Sequence, residues 1–384
     1  MRAALGVFVA ALGASAGGCS SDNGPASPAM PGDSATQALN GQLTVPAGFK
    51  VAYFATHLPG VRFMALGADG AVYASQPSAG RVVRIWDVNG DGVADSVATA
   101  VGGLDRPHGL AFHGGFLYIA NTGSVVRVRL GGDGRAAGAP EALVQFDGGG
   151  MHWTRSLAFG ADSMMYVAMG STCNVCVETD PMRAAVTRYD ANGENGSRFA
   201  YGLRNAVGIA VNPATKAIWV SQNERDNLAP DHENLPPDEI NILLEGGDYG
   251  WPYCYTHGGA PVPNPEYHDA SRCTATIPAT LEIQAHSAPL GMTFLDRATA
   301  FPDDYRGDLL AALHGSWNRG VPTGAKVVRI HVTNGIPVSA EDFVSGWQRA
   351  DGSRWGRPAD VMVYRDGSVL VSDDQGGAIF RVYR

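Results

Sequence analysis

Six segments of this chain repeat one plan: a hydrophobic-x-hydrophobic run, a Gly/Asp/Asn turn, and a second alternating run ending near Ser, Asn or Gly. They start at Arg62, Arg106, Thr154, Arg204, Ala288 and Arg357, and most add a third strand ending in Val-x-Arg or similar. Alternation with period two marks half-buried strands, and GADG, NPAT and RDGS are hairpin turns between them. Units spaced by roughly 45 to 85 residues suit a four-stranded blade with insertions of variable length. The expected fold is therefore all-β, a six-bladed β-propeller. LTVPAGFKVAYFA, residues 43–55, precedes the first repeat and is expected to supply a fourth strand beside the C-terminal IFRVYR. Closing the ring in this way removes exposed sheet edges.

Composition supports one large turn-rich domain: 384 residues, 45% hydrophobic and 17% charged, with 50 Gly and 23 Pro. The net charge is −9 with no long Lys/Arg run, so the chain carries no footprint for nucleic acid or an anionic lipid surface. Small molecules are the expected ligands.

Residues 1–19 pair one Arg with a short apolar run and small residues, the shape of a secretory signal too short to span a bilayer. Cys19, after Ala16-Gly17-Gly18 and before Ser20, resembles a bacterial lipoprotein processing site; simple cleavage that discards Cys19 is the alternative. Residues 20–42 read as a disordered tether and 43–384 as the propeller. Together these place the protein in the periplasm or outer membrane of a Gram-negative bacterium, touching the membrane only through a lipid anchor.

In such a compartment the even set Cys173, Cys176, Cys254 and Cys273 favours disulfides. Pairing Cys173 with Cys176 and Cys254 with Cys273 is the most economical of three connectivities. The CNVC stretch also allows a redox dithiol or half a zinc site, although no second CxxC or His pair accompanies it.

In a propeller the inner strands line the axis, so residues just before each first run crowd one mouth. Arg62, Arg106, His108, His152, Arg155, Arg204, Asn205, His286 and Arg357 fall there. They predict a cationic, His-containing pocket for a multiply carboxylated ligand. Away from the axis, DVNGDGVAD reproduces the first nine positions of an EF-hand-like calcium loop. Its ligands would be Asp87, Asn89, Asp91, the Val93 carbonyl and Asp95, but Ala98 stands where the bidentate Glu belongs. A plain Asx-Gly turn is the alternative. The charge run at residues 231–239 reads as a solvated insertion, and Trp317 and Trp355 as candidates to stack on a ligand.

GGGMHWTRSLAF, YGLRNAVGIAVNP, SQNERDN, DEINILLEGGDYGWP, HSAPLGMTF, FPDDYRGDLLAALHGSWNR and WGRPADVMVYRDGSVLVSDD carry a resemblance. With them, the chain from about Leu43 to Arg384 resembles the soluble pyrroloquinoline quinone (PQQ)-dependent glucose/sorbosone dehydrogenases, most closely the sorbosone dehydrogenase branch. That family is a six-bladed propeller with PQQ on its axis. The resemblance implies His152 as general base and Arg204 and Asn205 as contacts to the quinone oxygens, with Arg204 stabilising charge on reduction. It implies that His314 and Arg357 bind the cofactor, a set His108 joins by its place at the mouth. Calcium would be held by the main-chain carbonyls of Glu224 and Arg225 and act as a Lewis acid.

The implied reaction is PQQ- and calcium-dependent oxidation of a sugar or sugar-derived aldehyde, sorbosone or aldose-like. No haem motif is present, so electrons would pass to an external acceptor. The chain departs from the glucose enzymes at Met151 and Ser171, where they carry substrate-side carboxylates, and at Ala359, where they carry a second carboxylate-binding Arg. Two other readings stand beside this one: a calcium-dependent lactonase and a non-catalytic ligand-binding propeller.

Overall fold

Each of the six repeats folds, in the computed structural model, into an antiparallel sheet of at least four strands. The structure describes Leu39 and residues 41–384, so Cys19, the leader and most of the expected tether lie outside the described residues. Leu39 is buried in the same cluster as Leu43, and its carbonyl accepts the Gln42 N–H at 3.0 Å.

The hairpin turns form for a local reason. Asp69, Asp162, Asn212 and Asp366 each accept, on the side chain, the backbone N–H two residues on. This Asx geometry reverses the chain between alternating runs.

The innermost strands are Met64–Leu66, Leu110–His113, Arg155–Phe159, Ala206–Val211, Pro289–Phe294 and Pro358–Val363. They stand side by side around the axis and define blades 1 to 6 in that order. Some approaches are close enough to require glycine: a Cβ at Gly208 would collide with the Leu290 carbonyl, and one at Gly291 with Asp360. The apolar faces of neighbouring blades pack on each other, as where Trp219 of blade 4 meets Phe294 of blade 5 edge-on at 5.2 Å.

Blade 6 closes as the sequence predicts. Lys50–Ala55 pairs antiparallel with Ala378–Tyr383, Lys50 opposite Tyr383, and the sheet order runs from this outer strand to Pro358–Val363 inside. Blade 4 is interrupted between Asp238–Ile242 and its outer strand Leu281–Ile283 by an insertion carrying the hairpin Cys254–His257/Ala260–Pro263. Both local disulfides form, Cys173–Cys176 and Cys254–Cys273. Cys173, Cys176 and Glu178 lie within 4.8 Å of one another, but the bridge leaves no thiolate for zinc, so the half-site reading falls. Among the described residues no helix is long and apolar enough to cross a membrane.

Candidate active site

The ends of the first and second strands bring side chains from blades 1, 3, 4, 5 and 6 to one mouth of the axis. They enclose a cavity of about 260 Å³ lined by His152, Arg204, Asn205, Glu224, His314 and Arg357, with Arg62, Asp226, Asp238 and His286. Met151 and Trp317, 59% and 74% exposed, stand at its rim.

His152 sits just before the inner strand of blade 3. Its Nδ1 lies 2.9 Å from the Ser171 carbonyl and 2.9 Å from the Ser171 hydroxyl. A carbonyl only accepts, so the proton is assigned to Nδ1 and Nε2 carries a free lone pair, with no protein partner. Burial, with the charge of Arg204 next, lowers its pKa to about 3, which keeps the ring neutral. Ser171 is fully buried behind the imidazole and orients it.

Arg204 lines the cavity without offering it a hydrogen bond. Nε donates to the Asn174 carbonyl at 3.1 Å, and Nη1 donates to the Asn223 and Glu224 carbonyls at 3.1 and 2.7 Å. Nη2 donates to Asn174 Oδ1 at 2.9 Å and to Asp226 at 3.5 Å. All five donors of the guanidinium thus have a protein oxygen, which corrects the expectation that Arg204 hydrogen-bonds a ligand.

Asp226 was not anticipated and is central. It pairs with Arg204, with His286 Nδ1 at 3.4 Å, and accepts from Asn318 Nδ2 at 2.8 Å. Burial alone would raise its pKa, but the hydrogen bond from His286 and the charge of Arg204 hold it below the usual carboxylate value. His286 Nε2 donates to the His232 carbonyl at 2.6 Å. Both ring nitrogens therefore face acceptors, and although burial opposes it, Asp226 and His232 raise the pKa of His286.

The opposite wall is built on Asp374. It binds Arg62 Nη1 at 2.5 Å and His314 Nε2 at 2.9 Å. Burial pushes the His314 pKa down to about 4, so the neutral ring donates its Nε2 proton to an ionised carboxylate. Burial would raise Asp374, but the hydrogen bond from the neutral His314 ring and the charges of Arg62 and Arg357 oppose it, bringing it to about 2. Arg357 donates to the carbonyls of His314 at 2.9 Å and Gly315 at 2.6 Å. Among the described residues its Nη1 and the Nη2 of Arg62 take no protein partner, and Arg62 Nε is buried without one. Ala359 is buried in an apolar cluster with Phe63, so the second arginine at this wall is Arg62, from another blade.

Several expectations are corrected. His108 does not reach the cavity: it is fully buried, Nδ1 3.2 Å from Ser156 Oγ, its ring stacked at a tilt on Phe63 and edge-on to Trp153. Arg155 is buried and Arg106 lies over the Trp153 ring. The Arg225 side chain binds Asn264 and Glu266, which leaves the expectation for its main-chain carbonyl untouched. Asp238 and Glu239, read as part of a solvated run, are buried in a strand of blade 4, and burial pushes Asp238 up to about 7. Trp355 packs on Trp347 and Phe380, and the tryptophans lining the cavity are Trp317 and Trp153.

The DVNGDGVAD loop folds as the Asx-Gly turn. Asp87 accepts the N–H groups of Gly90 and Gly92, Asp95 that of Val88, Asn89 that of Asp91, and Asp91 that of Val93. Arg365 adds a cation 3.5 Å from Asp87. At least one side-chain oxygen of each residue expected to converge on calcium is thus bonded to the loop's own backbone, and the second oxygens of Asp91 and Asp95 face Asn89 Nδ2.

A family model described as TrAA12-like matches residues 43–384. An uncharacterized protein of Borreliella burgdorferi is 34% identical over 246 residues, 63% of this chain and 63% of that protein. A pyrroloquinoline quinone-dependent pyranose dehydrogenase of Coprinopsis cinerea is 27% identical over 333 residues, 75% of this chain and 44% of that protein. The chain thus spans less than two thirds of the length of these curated relatives. A solved Trichoderma reesei protein of carbohydrate-active enzyme family AA12 superposes with a TM-score of 0.78 at 23% identity, covering 89% of this chain and 97% of the other. The holo form of the PQQ domain of the Coprinopsis cinerea pyranose dehydrogenase does so at 0.77 and 23%, with the same coverage. At this identity these two structures establish the shared fold.

Proposed function

This chain belongs to the TrAA12-like family, and on that premise we propose that it is a PQQ-dependent dehydrogenase that oxidises a sugar or sugar-derived aldehyde. The observation that carries the proposal is the state of His152, neutral, with Nδ1 fixed by Ser171 and Nε2 free in a cavity that also presents two arginine edges.

The residues fit an anionic quinone. Arg62 Nη2 and Arg357 Nη1 are unpartnered and suit carboxylates, and the unpaired buried oxygens of Asn205 and Asn223 mark polar positions awaiting a partner. PQQ, when bound, supplies an electrophilic carbonyl that accepts hydride from the substrate carbon. His152 Nε2 takes the proton of the hydroxyl on the reacting carbon, that of a hemiacetal or, for an open-chain aldehyde, of its hydrate, and the Nδ1–H bond to Ser171 stabilises the imidazolium that forms. Arg204, caged by five oxygens, contributes a fixed positive charge rather than a hydrogen bond. Asp226 and His286 hold that charge in place from the other side.

Calcium fits by donor chemistry at the Glu224 carbonyl, a hard oxygen on a cavity-lining residue that Arg204 shares. In this reading the carbonyls of Glu224 and Arg225 hold the ion. The substrate meets Met151 and Trp317 at the rim, with no carboxylate at 151 or 171, which supports a sugar aldehyde such as sorbosone as readily as an aldose. Electrons leave to an external acceptor. Two disulfides support an oxidising compartment, consistent with export to the periplasm or an outer-membrane anchor at Cys19. The lactonase reading needs axial carboxylates free to hold a metal; here Asp226 pairs with Arg204 and His286, and Asp238 accepts two backbone N–H groups.

The test is to add PQQ and calcium to purified protein and record its absorption spectrum before and after a panel of aldoses and sugar aldehydes, with a dye as acceptor. Stoichiometric binding and reduction by a panel member support the proposal. Failure to bind PQQ refutes it and favours a binding propeller.

A further inference from the structure

His152 and Arg204, the two groups on which the proposed reaction most depends, are held from one short turn. The Cys173–Cys176 disulfide closes a ring around Asn174 and Val175. On its N-terminal flank, Ser171 takes the Nδ1–H of His152 on its carbonyl at 2.9 Å and donates its own hydroxyl to the Cys173 carbonyl at 2.6 Å. Inside the ring, Asn174 accepts Arg204 Nε on its carbonyl at 3.1 Å and Arg204 Nη2 on Oδ1 at 2.9 Å. The same Oδ1 accepts the Asp226 N–H at 2.9 Å, while Nδ2 donates to the Asp226 carbonyl at 3.0 Å. Trp251 Nε1 adds a bond to the Asn174 carbonyl at 3.2 Å, and Glu178 accepts the Thr172 N–H at 2.6 Å.

We propose that this disulfide-closed turn is the positioning element of the site, with Ser171 acting through His152 and Asn174 acting through Arg204 and Asp226. The inference concerns residues that touch neither cofactor nor substrate. Its consequence for turnover rests on the dehydrogenase reading; its consequence for His152 does not.

The bridge is suited to local order rather than to overall stability. It spans a sequence separation of 3, against 19 for Cys254–Cys273, and a short ring restricts the unfolded chain far less. What it restricts is the folded turn, where Asn174 must present three polar atoms at once. Asn174→Ala keeps the main-chain carbonyl but removes Oδ1, leaving Arg204 Nη2 only Asp226 at 3.5 Å, and a buried guanidinium left partly unpaired moves toward another acceptor. The charged groups facing His152 are Arg204, Asp226 and Arg155, and Arg204 is the strongest of those that disfavour the imidazolium. Displacing it eases protonation of His152.

The experiment follows histidine ring nitrogens by 15N NMR in cofactor-free protein across a pH titration. Wild type is expected to show His152 as a single Nδ1–H tautomer that does not titrate between about pH 5 and 8. Asn174→Ala, and separately Cys173→Ser with Cys176→Ser, should move its titration upward in pH from about 3, burial still holding it below the ordinary histidine value. Both should also lower kcat with dye and PQQ roughly 10- to 100-fold, more than they raise KM. Asn174→Asp, which keeps an oxygen for Arg204, should recover part of the loss. Cys254→Ser with Cys273→Ser should lower Tm and leave His152 unchanged. An unaltered His152 titration and tautomer in folded Asn174→Ala overturns the proposal, whatever the cysteine variant does. If His152 responds as expected but no panel sugar reduces PQQ on wild type, the positioning role stands and the dehydrogenase reading falls.

Discussion

Replacing Asp374 with Asn removes the one carboxylate shared by Arg62 and His314, and the structure sets the size of the effect. The Asp374 carboxyl titrates at about 2 instead of the model-compound value of 3.8. At roughly 1.4 kcal/mol per unit, the shift contributes about 2.5 kcal/mol of stability at neutral pH. The carboxylate is 14% exposed, so solvent screening takes little from this figure. Its folded pKa lies below its unfolded one, so the contribution is full above about pH 4 and disappears as pH falls through about 2. Linkage then puts about 1.3 kcal/mol at pH 3. The assay is urea unfolding of wild type and Asp374→Asn at pH 7 and pH 3, read by tryptophan fluorescence. The gap between the two proteins should narrow by about half, since groups common to both cancel. A gap below about 0.5 kcal/mol at pH 7, or one that does not change with pH, would show that Asp374 does not hold this wall.

His152→Ala should reduce kcat by about 10²- to 10⁴-fold while leaving PQQ binding intact by absorption titration; retained turnover removes histidine from the mechanism. Because burial and Arg204 lower His152 to about 3, the base is lost only below that pH, and kcat/KM should keep its value well into the acid range. An acid limb centred near the ordinary histidine value of about 6.5 contradicts that state. Chain-entropy arguments give the Cys254–Cys273 bridge about 3 kcal/mol and the Cys173–Cys176 bridge under about 2, which denaturant titration of the two double-serine variants can compare.

The blades were legible because period-two alternation is a local property, and the Asx turns that join the strands are written within four residues. Ring closure was legible for the same reason, an unpaired strand at one end and a complementary one at the other. At the site, the register of the repeats brought His152, Arg204, Asn205 and Arg357 together, as the pattern before each first strand suggested. It misled at His108, which shares that register but turns under Trp153. Asp226 and Asp374 were missed although both follow the second strand of a repeat, in SQNERD and VSDD. What they pair with is not local: Asp374 meets Arg62 across a sequence separation of 312. Asp238 was read as solvated because a charge run looks alike in a loop and in a strand whose neighbours cover it.

The pairing of Lys50 with Tyr383 has a temporal meaning. Tying ends that far apart costs about 5 kcal/mol of chain entropy, and no earlier intermediate recovers it through this sheet. Arg357 and Asp374 flank the first two strands of blade 6, so one wall of the cavity does not exist until the ring shuts. A growing chain with five finished blades still lacks that wall, and competence for the cofactor should appear abruptly with the final strand rather than accumulate blade by blade.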